Sequence, residues 1–537
     1  MSISPPGHSR RPTRARRLWA LAAASLVLLA VSDLRPWPLA NQPVVIGGPL
    51  AFLLAGSTDL GPATGQVRVT AALNDARRPE TLMAWASSNG LSVRWRPGDN
   101  WAVIEGAPTA VADTFGVSVH NYRGRRGQVF YASPQQPSVP ASVQGEVSGL
   151  GRILGYTPHH MARPPMAPRR EGLTPAELLT AYNAGRLAST GFTGKGMTIV
   201  FFEFDGFDQA DLDSFSDLSE LPRFTPTLVG GEPGKPTGEA VMDLEVAHAI
   251  APDARLVVVN AVPTLEGDGN FEKIGRMFEQ ADRQFPGAVW SLSIGWACDK
   301  LLTAADLVPV RATLADAQSH GTSAFAATGD NAGLQCKGGE DFSSPPGNSD
   351  IGLDAISSLP EMTAVGGTAL SLDGTGVWLA EQAWFNSPLS IGSSGGVSAL
   401  FSRPDFQHTV SSSRDATHRL SPDVAAAADP LTGARIVFDQ QVLIGGGTSQ
   451  AAPIWAALAA VMDQYLIANG GRRLGALNPM LYRIAAGATR PAFRDVSLGA
   501  NAVDTATPGY DLVTGLGPPN IDNLVRNLLD IQTGGNE

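Results

Sequence analysis

GMTIVFFE (196–203), ARLVVVNAV (254–262), AVWSLSI (288–294) and TSAFAA (322–327) are four apolar runs spread along one stretch of the chain. None alternates polar with apolar residues, so each reads as a strand covered on both faces. Between them, NFEKIGRMFEQADRQF (270–285) and AADLVPVRATLADAQSH (304–320) carry their apolar residues at helical spacing. Buried strands alternating with helices predict an α/β fold: a parallel sheet with helices on both faces. In such sheets chemistry collects at the carboxyl ends of the strands.

Working toward the N-terminus, the pattern changes scale. VRVTAAL from Val67, the helical stretch RRPETLMAWASSNG, and LSVRWRPGDNWAVIEGAPTAVADTFGV up to Val117 suit a compact α+β unit of roughly 100 residues. HHMARPPMAPRREG, His159 to Gly172, is too rich in Pro and Arg to hold a regular element and reads as an exposed linker. The first 32 residues place five arginines ahead of an apolar run from Leu18 to Val31, followed by a small-x-small pattern at Ala30–Ser32. That is the layout of a secretory signal peptide; a run of about 21 Å is short for an uncleaved anchor, the lesser reading. The expected organisation is a signal at 1–32, an N-terminal unit at 33–158, a linker at 159–172 and the large α/β domain at 173–537.

Composition excludes several classes. With 43% hydrophobic and 17% charged residues, the 537-residue chain is neither fibrous nor wholly disordered, and two cysteines make no disulfide scaffold. The net charge of −11 is unevenly spread: residues 1–170 hold 18 Arg against 8 acids, whereas residues 171–537 balance at −21. The acidic half has no basic cluster and repels phosphate, which excludes nucleic acid as the expected partner. Cys298 and Cys336 are either one disulfide closing a loop of 39 residues or two buried thiols.

The most specific string for chemistry is GGTSQAAPIWAALAAVMDQYL from Gly446. Ser449 opens an apolar helix whose N–H groups can stabilise an oxyanion, with Pro453 expected in the first turn; the plainer reading is that Thr448 and Ser449 cap a helix. Asp205, at the end of the first strand, His248 and Ser449 follow the chain order of a subtilisin triad. His248, however, lacks a glycine-flanked context and lies deep in a helix, as a structural histidine would. That helix, GEAVMDLEVAHAIAPDA, offers another base. Glu239 and Asp243 are four apart, on one face of a helix apolar nearly all round, so burial raises a carboxyl toward general-base duty. Glu245 lies on another face and is expected to pair with His248. Asp330 ends the strand TSAFAATGD, where a turn-forming Asp is the plain alternative.

Together these residues resemble the sedolisin family of serine-carboxyl peptidases. GGTSQAAP at Gly446 is similar to that family's nucleophile motif, GEAVMDLEVAHAIAPDA at Gly238 to its Glu-x-x-x-Asp helix, and ATGDNAG at Ala327 to its oxyanion-hole segment. AVGGT at Ala364, SGGVSALFSRPDFQ at Ser394 and SPDVAAAADP at Ser421 match in the same order, and residues 66–155 resemble the family's activation prodomain. The resemblance implies a subtilisin-like α/β fold with Ser449 as nucleophile and Glu239 as general base. It makes Asp243 the group that tunes Glu239, and Asp330 the oxyanion donor with the Ser449 N–H. It further implies a secreted, acid-acting serine-type endopeptidase, made as a self-processing monomeric precursor. Its partners are protein or peptide substrates and its own prodomain, with no stable membrane insertion once the signal is removed.

FRDVSLGANAVDTATPGYDLVTGLGPPN from Phe493 resembles the family's calcium site. It offers the carboxylates of Asp495 and Asp511 and the carbonyls of Val496, Thr507 and Gly509, with Thr507 where the family pattern has glycine. Two rivals stand beside this reading. GSSGG around Ser394 matches an esterase elbow without the strand and helix that an elbow requires. A secreted, non-catalytic peptide-binding protein on a peptidase scaffold is the other, disfavoured because all four catalytic positions are filled.

Overall fold

The computed structural model describes residues 43–160, 166, 172–337, 347–387, 390–412, 414 and 417–534. The segment expected as a signal, 1–32, lies outside the described residues, as does most of the linker expected at 159–172.

The large domain is built on one eight-stranded sheet. Its strands are β1 (Thr198–Glu203), β2 (Thr227–Val229), β3 (Arg255–Asn260), β4 (Val289–Leu292), β5 (Ser323–Ala327), β6 (Thr363–Leu372), β7 (Trp378–Ala383) and β8 (Val424–Ala427). The order across the sheet is β2-β3-β1-β4-β5-β6-β7, with β8 also pairing with β6. Every pairing is parallel except that of β6 with β7. The unbroken apolarity of the strands has a simple cause. Along β1, Ile199 and Phe201 enter the core on one face while Val200 and Phe202 enter the core on the other. Each fully buried side chain of this kind contributes roughly 1.5–3 kcal/mol.

Helices α1 (Glu239–Ile250) and α4 (Thr448–Ala468) belong to the first core, α2 (Asn270–Gln284) and α3 (Val308–Ser319) to the second. All twelve residues of α1 are buried. Helix α4 runs through the middle of its core with Ala456 to Ala460 fully inaccessible, which explains an apolarity that by composition alone would suit a membrane. The fold is the expected subtilisin-like arrangement.

The N-terminal unit is a four-stranded antiparallel sheet, Val67–Leu73, Ser92–Arg94, Trp101–Gly106 and Val147–Leu150, with helices Glu80–Ser88 and Pro108–Phe115 over its own core. The second helix starts on Pro108, where no N–H partner is lost, and ends at Gly116 with φ +65°. The unit docks on α2 through opposite charges. Arg94 forks onto Glu272, Arg96 reaches Glu279 at 2.7 Å, and Arg276 of α2 reaches back to Asp99 at 2.7 Å while lying over the Trp101 ring.

One expectation fails here. His159–His160, assigned to an irregular linker, pairs antiparallel with Gly295–Trp296, and Ala297 N donates to the Pro158 carbonyl at 2.7 Å. Composition did not forbid this because a two-residue strand needs only one exposed backbone edge, and the segment after β4 supplies it.

Candidate active site

Ser449 is the second residue of α4, entered through Gly447 at φ +85°, a backbone angle that L side chains rarely adopt. Pro453 is the sixth helical residue rather than one of the first turn. Lacking an N–H, it cannot bond the carbonyl four residues back, which is that of Ser449. The freed carbonyl instead accepts the Ser293 hydroxyl at 3.1 Å. Ser449 Oγ donates to the Ser293 carbonyl at 3.0 Å. Ser293 lies just past β4, so the nucleophile candidate is tied twice to the carboxyl end of a central strand.

Helix α1 brings its carboxyls to the same place. It begins after Gly238, φ +112°, with no cap from its own neighbours. Asp205, two residues past β1, replaces the local cap: its carboxylate accepts Thr237 N (2.7 Å), Thr237 Oγ1 (2.7 Å), Gly238 N (3.0 Å), Glu239 N (3.3 Å) and Ala240 N (3.0 Å). A carboxylate at a helix N-terminus both satisfies orphan donors and meets the positive end of the dipole. Asp205 therefore orients the helix that carries Glu239, and it is not the aspartate of a histidine triad.

Glu239 is 6% exposed, and its Oε1 is buried without a hydrogen-bond partner. Burial first, then the charge of Glu203, pushes its carboxyl well above the usual range, with the nearby Ser449 hydroxyl opposing. Asp243 is fully buried and accepts Ser293 Oγ at 2.7 Å. It too is pushed up, by burial and then by Glu239. Sequence reasoning missed the third acid. Glu203, the last residue of β1, is buried, and its carboxyl is raised by desolvation and then by the charge of Asp243. Three carboxyls thus form a chain, Glu239 to Asp243 to Glu203, whose mutual repulsion is relieved by protons.

Asp330 follows β5 on a turn through Gly329, φ +95°. Its Oδ1 accepts Thr448 N at 2.8 Å and Thr448 Oγ1 at 2.9 Å, which leaves the second oxygen for another partner. Desolvation raises this carboxyl as well, with Thr448 opposing. The segment is braced by Ser394, whose Oγ accepts Gly333 N at 3.1 Å and Gln335 Nε2 at 2.8 Å. Ser394 is buried and occupied as a strut, which removes the esterase-elbow reading. Cys298 and Cys336 are disulfide-bonded, with Cα atoms 4.9 Å apart, so the bridge fastens the end of the Asp330 segment.

His248 takes no part. It stacks on Phe224 with ring centroids 4.0 Å apart, and its Nε2 lies 2.7 Å from the Pro222 carbonyl. Burial lowers it to about 4, so at neutral pH the ring is an uncharged donor to that carbonyl. The expected pairing with Glu245 is not formed; Glu245 Oε2 accepts Val437 N at 2.7 Å instead. Spacing along a helix fixed which residues could meet, but neighbouring loops supplied better partners for both. Met166 lies against the other end of α1: its Cε would stand 2.3 Å from a Cβ added to Gly238, beside Phe438.

The description "Pro-kumamolisin, activation domain" matches residues 71–153, and "Subtilase family" matches residues 227–473. Kumamolisin of Bacillus sp. (strain MN-32) is 30% identical over 485 residues, covering 83% of this chain and 82% of that protein. The chain belongs to the kumamolisin–sedolisin family of serine-carboxyl peptidases. Sedolisin of Pseudomonas sp. (strain 101) is 27% identical over 479 residues, 83% of this chain and 78% of that protein. A solved structure of Pseudomonas sedolisin has a TM-score of 0.56 at 24% identity, covering 68% of this chain and 99% of that one.

Within this family member, the acidic loop near the C-terminus also comes together. Asp495 Oδ1 accepts Gly509 N at 2.9 Å, and Asp511 Oδ2 accepts Thr507 N at 3.4 Å, so the loop 507–509 lies between the two carboxylates. Among the described residues, the carbonyls of Val496, Thr507 and Gly509 accept no hydrogen bond. Two carboxylates and three free carbonyls are a hard-oxygen set that fits calcium. Thr507 is not among the residues with positive φ, so the glycine of the family pattern is not required there.

Proposed function

We propose that the chain is an exported, acid-acting serine-type endopeptidase that matures by cutting its own precursor. The observation carrying this reading is the meeting of Ser449, Glu239, Asp243 and Asp330 at the carboxyl ends of β1, β4 and β5. In the reaction, rotation of the Ser449 hydroxyl from the Ser293 carbonyl toward Glu239 passes its proton to that carboxylate as Oγ attacks the peptide carbon. The oxyanion accepts hydrogen bonds from the Ser449 N–H and from a protonated Asp330, held in place by Thr448. Glu239 then returns the proton to the departing amine, leaving an acyl-enzyme that water cleaves by the same relay. Asp243, hydrogen-bonded to Ser293 and close to Glu203, sets how readily Glu239 holds that proton.

A carboxylic acid donates only while protonated, so the role given to Asp330 favours acid. Calcium, held by Asp495, Asp511 and the carbonyls of Val496, Thr507 and Gly509, would cross-link the C-terminal loops as a structural ion. Export rests on the sequence of residues 1–32 alone.

Two placements favour self-cleavage: residues 158–160 run along the 295–297 segment next to Ser293, and Met166 packs at the start of α1. The test is incubation of purified precursor at pH about 4, with products followed by mass spectrometry. Wild type releases the N-terminal unit, whereas Ser449→Ala and Glu239→Ala stay whole. A wild-type precursor that persists throughout the acid range favours a peptide-binding role without catalysis.

A further inference from the structure

The pole of the sheet opposite the active site carries a second cluster that the peptidase reaction does not use. Asp282 sits in the last turn of α2, seven residues before β4 begins. Asp316 and His320 lie one turn apart at the end of α3, just before β5. One ligand atom from each of the three lies within 4.8 Å of the other two. His320 Nδ1 is 2.8 Å from Asp282 Oδ2.

Asp282 distinguishes this cluster from an ordinary surface ion pair. The residue is 5% exposed, and its other oxygen, Oδ1, is buried with no hydrogen-bond partner. A buried acceptor left unpaired is destabilising, more so when charged. A cation shared with His320 and Asp316 relieves it. The exposed side chains of Asp316 and His320 leave the cluster open to solvent for entry and for water ligands.

We propose that Asp282, Asp316 and His320 bind a zinc-class divalent cation that clamps α2 to α3. One imidazole and two carboxylates form a donor set suited to zinc with water completing the shell. Bonds of about 2.0–2.2 Å place tetrahedral ligands roughly 3.4 Å apart, within the 4.8 Å over which the three ligand atoms are spread. This site is separate from the Asp495–Asp511 loop, which offers only oxygen. Its consequence reaches the precursor, because α2 is the helix on which Arg94 and Arg96 of the N-terminal unit dock.

The test uses the tag-free, full-length Ser449→Ala protein in millimolar calcium, titrated calorimetrically with zinc chloride at neutral pH. The expected result is one equivalent of zinc. His320→Ala and Asp282→Asn lose that equivalent, while His120→Ala, which alters the distant His120–Asp59 pair, keeps it. Circular dichroism and the melting midpoint in EDTA report whether each variant is folded, and cobalt absorption gives an independent signature of bound nitrogen and oxygen ligands. Absence of a zinc equivalent in the wild type overturns the proposal, as does equal binding by folded His320→Ala.

Discussion

Replacing Asp463 by asparagine should change how stability responds to pH far more than it changes stability itself in acid. Asp463 lies on α4, fully buried; Oδ1 accepts Leu474 N at 2.8 Å and Oδ2 has no hydrogen-bond partner. Arg473 approaches only to 3.8 Å, too far to offset the loss of hydration. Burial raises the carboxyl from 3.8 to about 7, with the Leu474 N–H and Arg473 opposing. Because the folded-state value lies above the unfolded one, the native state keeps a proton that the unfolded chain has released. The resulting stabilisation is complete below pH about 4 and is lost as pH rises through about 7. Three units at about 1.4 kcal/mol each make this roughly 4 kcal/mol, an order of magnitude for one group. Asparagine has the same shape, keeps the acceptor for Leu474, and cannot ionise.

Urea unfolding of the Ser449→Ala protein, followed by tryptophan fluorescence at pH 4, 5.5 and 7.5, should give Asp463→Asn about the same stability as its parent in acid. By the highest pH the variant should exceed the parent by about 4 kcal/mol. A difference that does not vary with pH refutes the reasoning. Asp354 and Glu381, raised to about 7, and Asp299, raised to about 6, act in the same sense. His248, lowered to about 4, acts oppositely, since its contribution is lost as pH falls from 6.5 to 4. These four acids and His248 therefore pull the pH dependence of stability in opposite directions.

Asp330→Ala should lower kcat/KM about 100–1,000-fold, while Asp330→Asn, a donor at any pH, should retain more activity and lose the fall above the carboxyl's titration; pH–rate profiles of both check this. EGTA should lower the thermal midpoint of the parent, and Asp495→Asn should abolish that response in calorimetry if the loop holds calcium. Charge reversal at Arg94 and Arg96 removes two contacts of the N-terminal unit with α2. The separated unit carrying both changes should bind the Ser449→Ala enzyme at least tenfold more weakly at pH 7, as read by titration calorimetry.

Elements whose information is local were readable before folding. The apolar runs of β1, β3, β4 and β5 carry their own two-sided burial, and the four-residue spacing of Glu239 and Asp243 puts both on one face of α1. Whatever depends on a partner distant in the chain was not. Glu203 looks like a polar strand end until the register of β1 sets it against Asp243. Glu245 and His248 were assigned to each other because helical spacing permits it, yet Val437 and Pro222 arrive from other segments. Cys298 and Cys336 became a bridge only when the sheet brought their Cα atoms within reach. The pairing of His159–His160 depended on an edge left open by residues 295–296, which no composition rule reports.

Asp205 has one more consequence, for how Glu239 is put in place. The N–H groups at the start of α1 find their acceptor only when the loop after β1, more than thirty residues earlier in the chain, has been laid beside them. Until then the helix can form, but its first turn, where Glu239 sits, is unfinished and frayed. Glu239, the base of the proposed reaction, is thus set in place by a contact that spans more than thirty residues of chain.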